Sequence, residues 1–281
     1  MLARVPASSA NLGPGFDALA VALTLYLEVT IEVADAFAIT SEGFGAGQFD
    51  DERNLGARVA AEVLGHSNFV MHVKSEIPLS RGLGSSAALA VAAAVAAGAT
   101  DPLAIGTRID GHAENAAASL LGGLVVARSN DDGVVARSLA LDEQWRFVVV
   151  IPDDELSTDD ARDVLPEIVP FGDAIHNLSS MGLLLAGLAD HDAWVAGAMD
   201  DVLHQPYRMG LLSFAQPLLT TLRDGGASGS CWSGAGSTML GLATSERAED
   251  VARAARTFLH DQGVAGVVRV LEADRTGLVT N

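Results

Sequence analysis

Runs of alternating apolar and polar residues, separated by helical spacings and glycine-bearing loops, predict a mixed α+β chain. Leu2–Val5 predicts a short strand ending at Pro6. Over Leu25–Val33 (LYLEVTIEV) apolar residues alternate with polar or acidic ones, as in a half-exposed strand, and Phe37–Thr40 predicts a partner. Asn54–Leu64 carries Ala, Val and Leu at helical spacing, and Phe69–Ser75 alternates again. A Pro- and Gly-punctuated loop, Ile77–Gly84, precedes an Ala-rich helix from Ser85. Pro102–Ser119 predicts a helix interrupted near Gly111. Gly122–Arg128 and Val134–Leu139 predict a hairpin about Asn130-Asp131-Asp132-Gly133, a strong turn sequence. The continuous apolar run Trp145–Ile151 predicts a buried strand.

Helical stretches are then expected at Asp159–Leu165, Ala174–Leu188, Ala193–Leu203 and Pro217–Leu222. A Gly- and Ser-rich segment, Gly225–Gly241, follows. Ser245–Gln262 predicts an amphipathic helix and Gly266–Leu271 a closing strand. A domain boundary is expected near residue 145, dividing the chain into 1–145 and 146–281.

The chain has 281 residues, 49% of them hydrophobic and 19% charged, a globular composition. Its 36 acidic and 17 basic side chains give a formal charge of −19, which argues against a nucleic-acid partner, since phosphate neutralisation needs clustered Lys and Arg. Lys74 is the only lysine, so a polybasic membrane-docking tract is absent. The single cysteine, Cys231, excludes an internal disulfide framework and a CxxC metal knuckle. The N-terminal segment MLARVPASSANLG has no long apolar core of a secretory signal, and the Ala-rich helix is short for a bilayer. A cytoplasmic protein is expected.

Three segments carry candidate chemistry. Pro78-Leu79-Ser80-Arg81-Gly82-Leu83-Gly84-Ser85-Ser86-Ala87-Ala88 leads into the Ala-rich helix. Its glycines permit close backbone approach, Ser85 and Ser86 are candidate caps, and the unpaired N–H groups of the helix start suit an anion such as a triphosphate. The loop lacks the lysine of GxxxxGK[ST] and is not a clean GxGxxG. An ordinary glycine turn with an N-cap is the plain alternative. Ala7–Asp17 places Asn11 and Asp17 on a constrained loop, suited to a hydroxyl, an ammonium group or a phosphate-linked water, and equally to an Asx-turn. Ser233-Gly234-Ala235-Gly236-Ser237 allows close approach to a ligand or to another backbone.

Together these segments resemble the GHMP kinase superfamily, and within it the homoserine kinase family. PLSRGLGSSAA is similar to the superfamily's phosphate-binding loop. VPASSANLGPGFD resembles the family's N-terminal motif, and SGAGST its third motif, with Ser237 where Pro is common. DGHAENAAASLLGG (110–123), LSTDDARDVLP (156–166) and HQPYR (204–208) add to the likeness. The resemblance implies a two-domain α+β GHMP kinase fold, with an N-terminal domain like the second domain of ribosomal protein S5, a ferredoxin-like C-terminal domain, and a site between them.

It also implies an ATP- and Mg²⁺-dependent kinase acting on L-homoserine, and a homodimer. The 78–88 loop would wrap the ATP phosphates, Asn54 would border the adenine, and Ser85, Ser86 and Asp110 would hold Mg²⁺. Asp110 stands where the family usually has Glu, and Glu114 where many members have Asp. Arg162 and Arg208 match the arginines for the substrate carboxylate, and Asn11, Asp17, His112, Glu114 and Asn115 match the rest of the substrate pocket. Thr158, Arg162 and Asn11 are the expected catalytic groups. Solvated acids, surface arginines paired with acids, a structural histidine and a helix-capping Thr158 remain the plain alternatives. With Lys74 outside every motif, a Lys–Asp base pair is not expected. Phosphorylation of another small alcohol, and nucleotide binding without catalysis, remain open at this point.

Overall fold

The computed structural model describes the whole chain, Met1–Asn281. Its elements in order are β1 (Leu2–Ala10), β2 (Leu19–Val33), β3 (Ala38–Gly43), α1 (Leu55–Leu64), β4 (Phe69–Ser75), α2 (Ser85–Ala96), α3 (Pro102–Asp110), α4 (Glu114–Leu121), β5 (Leu124–Asn130) and β6 (Gly133–Leu139). Then come β7 (Trp145–Pro152), α5 (Thr158–Asp163), α6 (Phe171–Ala189), α7 (Gln205–Arg208), α8 (Ala215–Asp224), β8 (Gly229–Trp232), β9 (Met239–Thr244), α9 (Ala248–Gln262), β10 (Gly266–Leu271) and β11 (Val279–Thr280).

The first sheet has seven strands, ordered β11-β1-β2-β4-β3, with the β5–β6 hairpin joined to β2. β1 does not stop at Pro6. A register shift between Pro6 and Ala7 accommodates the missing N–H, and pairing with β2 resumes to Ala10. The strand therefore delivers Asn11 to the sheet's end. α2 lies on this sheet, and Ala87, Ala88 and Ala90 through Ala94 are all buried against it. Side chains this small let the helix axis come close to the strands, so α2 aims its N-terminus at the loop after β1.

The second sheet runs β10-β7-β9-β8, wholly antiparallel, the strand order of a ferredoxin-like βαββαβ unit. Both faces of β7 are covered. Trp145, Phe147, Val149 and Ile151 join the main core, while Val148 and Val150 pack with α8 and α9. This is why WRFVVVI lacks alternation. The chain end returns to the first sheet: β11 pairs with β1, and Ala273 bridges Leu23. No helix is long and apolar enough to cross a membrane.

One helix expectation needs correction. Ala193–Leu203 is not a helix; a single 3-10 turn, His191–Ala193, gives way to irregular turns. Here side chains satisfy the backbone instead: the Asp201 carboxylate accepts from the N–H groups of Leu203, His204 and Gln205, and Asn177 Oδ1 accepts from that of Val202. The glycine-rich segment Gly225–Gly241 holds β8, the tight loop after it and the start of β9.

Candidate active site

The three glycine-rich segments meet. Gly234 N–H donates to Ala10 O, Ser8 N–H to Leu83 O and Thr238 N–H to Arg81 O. Ser233 Oγ donates to Gly82 O at 2.7 Å and lies 2.8 Å from Ser9 Oγ, whose hydroxyl can donate to it. Gly82, at φ +69°, is needed here, because a Cβ would stand 2.1 Å from Ser233 O and 2.9 Å from Gly236 N. Arg81 donates to the carbonyls of Leu79, Pro152 and Asp153, fastening the loop to the end of β7.

These contacts border an open cleft of about 140 Å³. One end holds the start of α2. The N-cap is Gly84, in left-handed conformation, with no side-chain cap. The expected capping by Ser85 or Ser86 does not occur, because both already lie inside the first turn and line the cleft instead. Unpaired N–H groups at the end of a twelve-residue helix make an anion site.

Around this end stand Asp110, His112, Glu114 and Asn115, where α3 breaks at Gly111 and α4 begins. Asp110 accepts from Asn115 Nδ2 at 3.3 Å, and burial raises its carboxyl above the ordinary range. Asn115 Oδ1 in turn accepts from Ser8 Oγ at 2.8 Å. Glu114 is 1% exposed, and neither carboxylate oxygen has a hydrogen-bond partner. His112 Nδ1 lies 2.7 Å from Glu114 Oε1 but is misaligned for a hydrogen bond. Burial alone would lower the His112 pKa; Glu114, Asp110 and Asp17 outweigh it and hold the imidazole above its usual value. A buried carboxylate without donors, aimed into a cleft, is suited to a cationic group.

Two arginines complete the lining. Arg162, in α5, makes a two-pronged pair with Asp17, Nη2–Oδ1 2.7 Å and Nη1–Oδ2 3.0 Å, which raises the guanidinium pKa. Arg208 is 2% exposed. Its Nε donates to Ala161 O, and its Nη1 to Gly234 O and His204 Nδ1, each at 3.0–3.1 Å. Burial, followed by repulsion from Arg162, lowers Arg208 to about 10, so it stays cationic at neutral pH.

His204 was missed as an individual residue, although its HQPYR segment stood out. Arg208 can only donate and Gly13 O can only accept, so His204 is neutral with its proton on Nε2, 2.9 Å from Gly13 O. Burial holds its pKa down at about 4. Phe16, equally unforeseen, stacks on His204 at 4.8 Å and lies beneath both guanidinium groups. A lone aromatic after a glycine offers no sequence signal for that role.

Most of the expected site residues line this cleft: Asn11, Asp17, Ser80, Arg81, Gly82, Gly84, Ser85, Ser86, Asp110, His112, Glu114, Asn115, Thr158, Arg162 and Arg208. Four differences stand out. Asn54 lies outside it; its Oδ1 caps α1 and its Nδ2 donates to Phe49 O. Leu83, Ala87 and Ala88 are in the core, and Pro78 and Leu79 face a neighbouring hollow with Phe44 and Ile151. Asn11 reaches the cleft, but its amide is engaged by Gly234 O and the Asp17 N–H, so it shapes the loop. Thr158 does not cap α5; Ser157 does, which leaves the Thr158 side chain lining the cleft.

Family models agree with this architecture: one described as GHMP kinases N terminal domain matches residues 54–123, and one described as GHMP kinases C terminal matches residues 174–261. The chain belongs to the GHMP kinase family. Within this GHMP kinase, the matched segments hold the α2 loop and Arg208, while Asn11, Asp17, Thr158 and Arg162 lie outside both. It is 38% identical to a homoserine kinase of Desulfitobacterium hafniense, across 98% of this chain and 97% of that one. It is 39% identical to a homoserine kinase of Microchaete diplosiphon, across 97% and 94%. A crystal structure of homoserine kinase from Cytophaga hutchinsonii superposes with a TM-score of 0.87 at 26% identity, covering 99% of this chain and 96% of that one. Mevalonate kinase of L. major shares the fold, with a TM-score of 0.72 at 14% identity over 97% and 95%.

Proposed function

We propose that this GHMP kinase is a homoserine kinase, transferring the γ-phosphoryl group of ATP to the side-chain hydroxyl of L-homoserine. The products are ADP and O-phospho-L-homoserine, the precursor for threonine synthesis. One observation carries the reading: a bare helix N-terminus opens into a cleft whose walls match both charges of a zwitterion. The Glu114 carboxylate, approached only by His112, clusters with Asp17 within 4.8 Å, and Arg162 and Arg208 line the same cleft. The full-length relatives named homoserine kinase support the same substrate.

The roles follow from the chemistry. The amides of Ser85 and Ser86 bind the terminal phosphates. Arg208 offers the substrate carboxylate its Nη2, the one guanidinium nitrogen not given to Ala161 O, Gly234 O or His204, with Arg162 beside it. Asp17 and Glu114 accept from the α-ammonium group, and Asn115 holds Asp110 in place. Thr158 directs its hydroxyl at the acceptor. His112, whose pKa its acidic neighbours raise, stands 2.7 Å from Glu114 on the side where phosphate arrives. The donor set fits Mg²⁺: the Ser85 and Ser86 hydroxyls and the Asp110 carboxylate are hard oxygen donors. When bound, the ion neutralises charge on the phosphate oxygens. Lys74 is exposed on β4, away from the cleft, so no lysine serves as a base. Transfer then rests on positioning and charge neutralisation, which phosphoryl chemistry chiefly demands.

ATP and a free amino acid as substrates fit a cytoplasmic enzyme. The net charge of −19 fits small-molecule rather than nucleic-acid partners. A coupled ADP-release assay with homoserine, mevalonate, galactose and shikimate tests the reading. Turnover is expected with homoserine; preference for another alcohol, or ATP binding with no turnover at all, overturns it.

A further inference from the structure

Asp201 is a buried carboxylate outside the lining of the cleft. Its side chain has no exposed surface, and no Arg or Lys pairs with it. A buried acid is costly unless hydrogen bonds replace its water. Here four donors do so. Oδ1 accepts from Leu203 N–H at 3.0 Å and Asn177 Nδ2 at 2.8 Å, and Oδ2 from His204 N–H at 3.1 Å and Gln205 N–H at 2.7 Å. Capping a turn needs only one hydroxyl or amide oxygen. The two oxygens of a carboxylate can accept all four bonds, and so fix three successive backbone groups at the entry to α7.

That entry carries Arg208. The Arg208 N–H donates to His204 O at 3.3 Å, and its Nη1 donates to His204 Nδ1 at 3.1 Å. His204 Nε2 lies 2.9 Å from Gly13 O and 3.4 Å from Asp201 Oδ2. Both oxygens favour the proton on Nε2, which leaves Nδ1 bare to accept from Arg208. Asp201 is itself anchored from two sides. Asn177, 3% exposed within α6, donates to it, accepts from Val202 N–H at 2.9 Å and reaches Pro14 O at 3.4 Å. The segment before Asp201 presses on the N-terminal loop, where a Cβ on Gly13 would stand 2.4 Å from Met199 O. The loop bearing Asp17 and the turn bearing Arg208 are thereby held in register around one carboxylate.

We propose, on the homoserine reading of the cleft, that Asp201 is the positioning residue for Arg208 and sets where the guanidinium meets the substrate carboxylate. In Asp201→Asn an NH2 group replaces one oxygen. On either side it meets two N–H donors where the carboxylate made two bonds. The turn shifts to relieve that conflict, and Arg208 moves with it. A misplacement of about 1 Å in a substrate contact costs up to about 100-fold.

Steady-state kinetics with ATP and L-homoserine test the placement. Asp201→Asn is expected to raise the homoserine KM about 10- to 100-fold with the ATP KM within about twofold. A mere loss of folded enzyme would lower kcat and leave both KM values alone. In an Arg208→Lys background the same substitution should add less than about twofold, because the guanidinium it places is gone. Asp200→Asn, which removes the same charge from the exposed neighbouring residue, should leave the homoserine KM within about twofold. Should Asp201→Asn not fold, Asn177→Ala decides by the same readings. It withdraws one of the four donors and should raise the homoserine KM about three- to tenfold, the worth of one hydrogen bond. A crystal structure of the variant without substrate gives a reading independent of the acceptor: the Arg208 guanidinium should lie about 1 Å or more from its wild-type place. Wild-type protein without turnover of homoserine would overturn the substrate reading and leave that crystallographic test standing. An unmoved homoserine KM in an enzyme that uses homoserine, an equal effect in the Arg208→Lys background, or an undisplaced Arg208 in the crystal overturns the proposal.

Discussion

Asp17→Asn separates binding from stability. In the free protein the Asp17 carboxylate is held by Arg162 at 2.7 and 3.0 Å, yet the side chains remain 35% and 37% exposed. A pair so open to water contributes at most about 1 kcal/mol. For a protein of this size that is a fall in Tm of no more than about 4 °C. The substrate raises the stakes, because its α-ammonium group would donate a charge-assisted hydrogen bond to Asp17, worth about 1.5–3 kcal/mol. At tenfold per 1.4 kcal/mol, Asn should raise the KM for homoserine about 10- to 150-fold. Steady-state ADP release with L-homoserine and with 4-hydroxybutyrate, which keeps the hydroxyl and carboxylate but lacks the ammonium group, isolates the contact. The variant should match wild type on 4-hydroxybutyrate. Equal losses on both acceptors, or a fall in Tm beyond 10 °C with an unchanged homoserine KM, would refute the reasoning.

Arg208→Lys retains a charge but removes the fork that serves Ala161 O, Gly234 O and His204; the homoserine KM should rise at least tenfold with the ATP KM within twofold, and a parallel rise in both would contradict the assignment. Gly82→Ala puts a methyl 2.1 Å from Ser233 O at φ +69°, adding about 1–2 kcal/mol of backbone strain and forcing the loops apart. Its ATP KM should climb tenfold or more, and an unaltered ATP KM would show that the junction does not shape the phosphate site. His204, with a folded pKa of about 4 against an ordinary 6.5, contributes stability that is complete above pH ~6.5 and is lost as pH falls toward 4, with a slope of up to about 1.4 kcal/mol per pH unit. Urea unfolding at pH 7, 6 and 5 should show a shallower slope for His204→Gln than for wild type; identical slopes would count against the neutral, buried histidine.

Much of the site was legible in the sequence because its chemistry sits on short runs with their own local signals. The glycines around Leu83 and the turn at Gly111 could be read from residue type and spacing, whereas the arginines of α5 and α7 were reached only through the family resemblance of their segments. What stayed hidden depends on where a run is placed in space. Asn54 has the same amide whether it caps α1 or faces a nucleotide, and only the proximity of the Gly56 and Ala57 N–H groups decides. Ser85 and Ser157 each begin a helical run, yet one lies within the first turn and the other before it, a difference of a single residue. Helical spacing at 193–203 was overridden by Asp201 and Asn177, which take the local N–H groups for themselves. β11 is too short for any periodicity and forms because β1 offers it an edge.

The placement of two ligands in one cleft is the most direct test of the proposed chemistry. A crystal structure with a non-hydrolysable ATP analogue and L-homoserine should show the terminal phosphate against the Ser85 and Ser86 amides. The amino-acid carboxylate should lie on Arg208, and its hydroxyl should point at the terminal phosphorus. A nucleotide bound away from the start of α2, or homoserine whose carboxylate touches neither arginine, would contradict it.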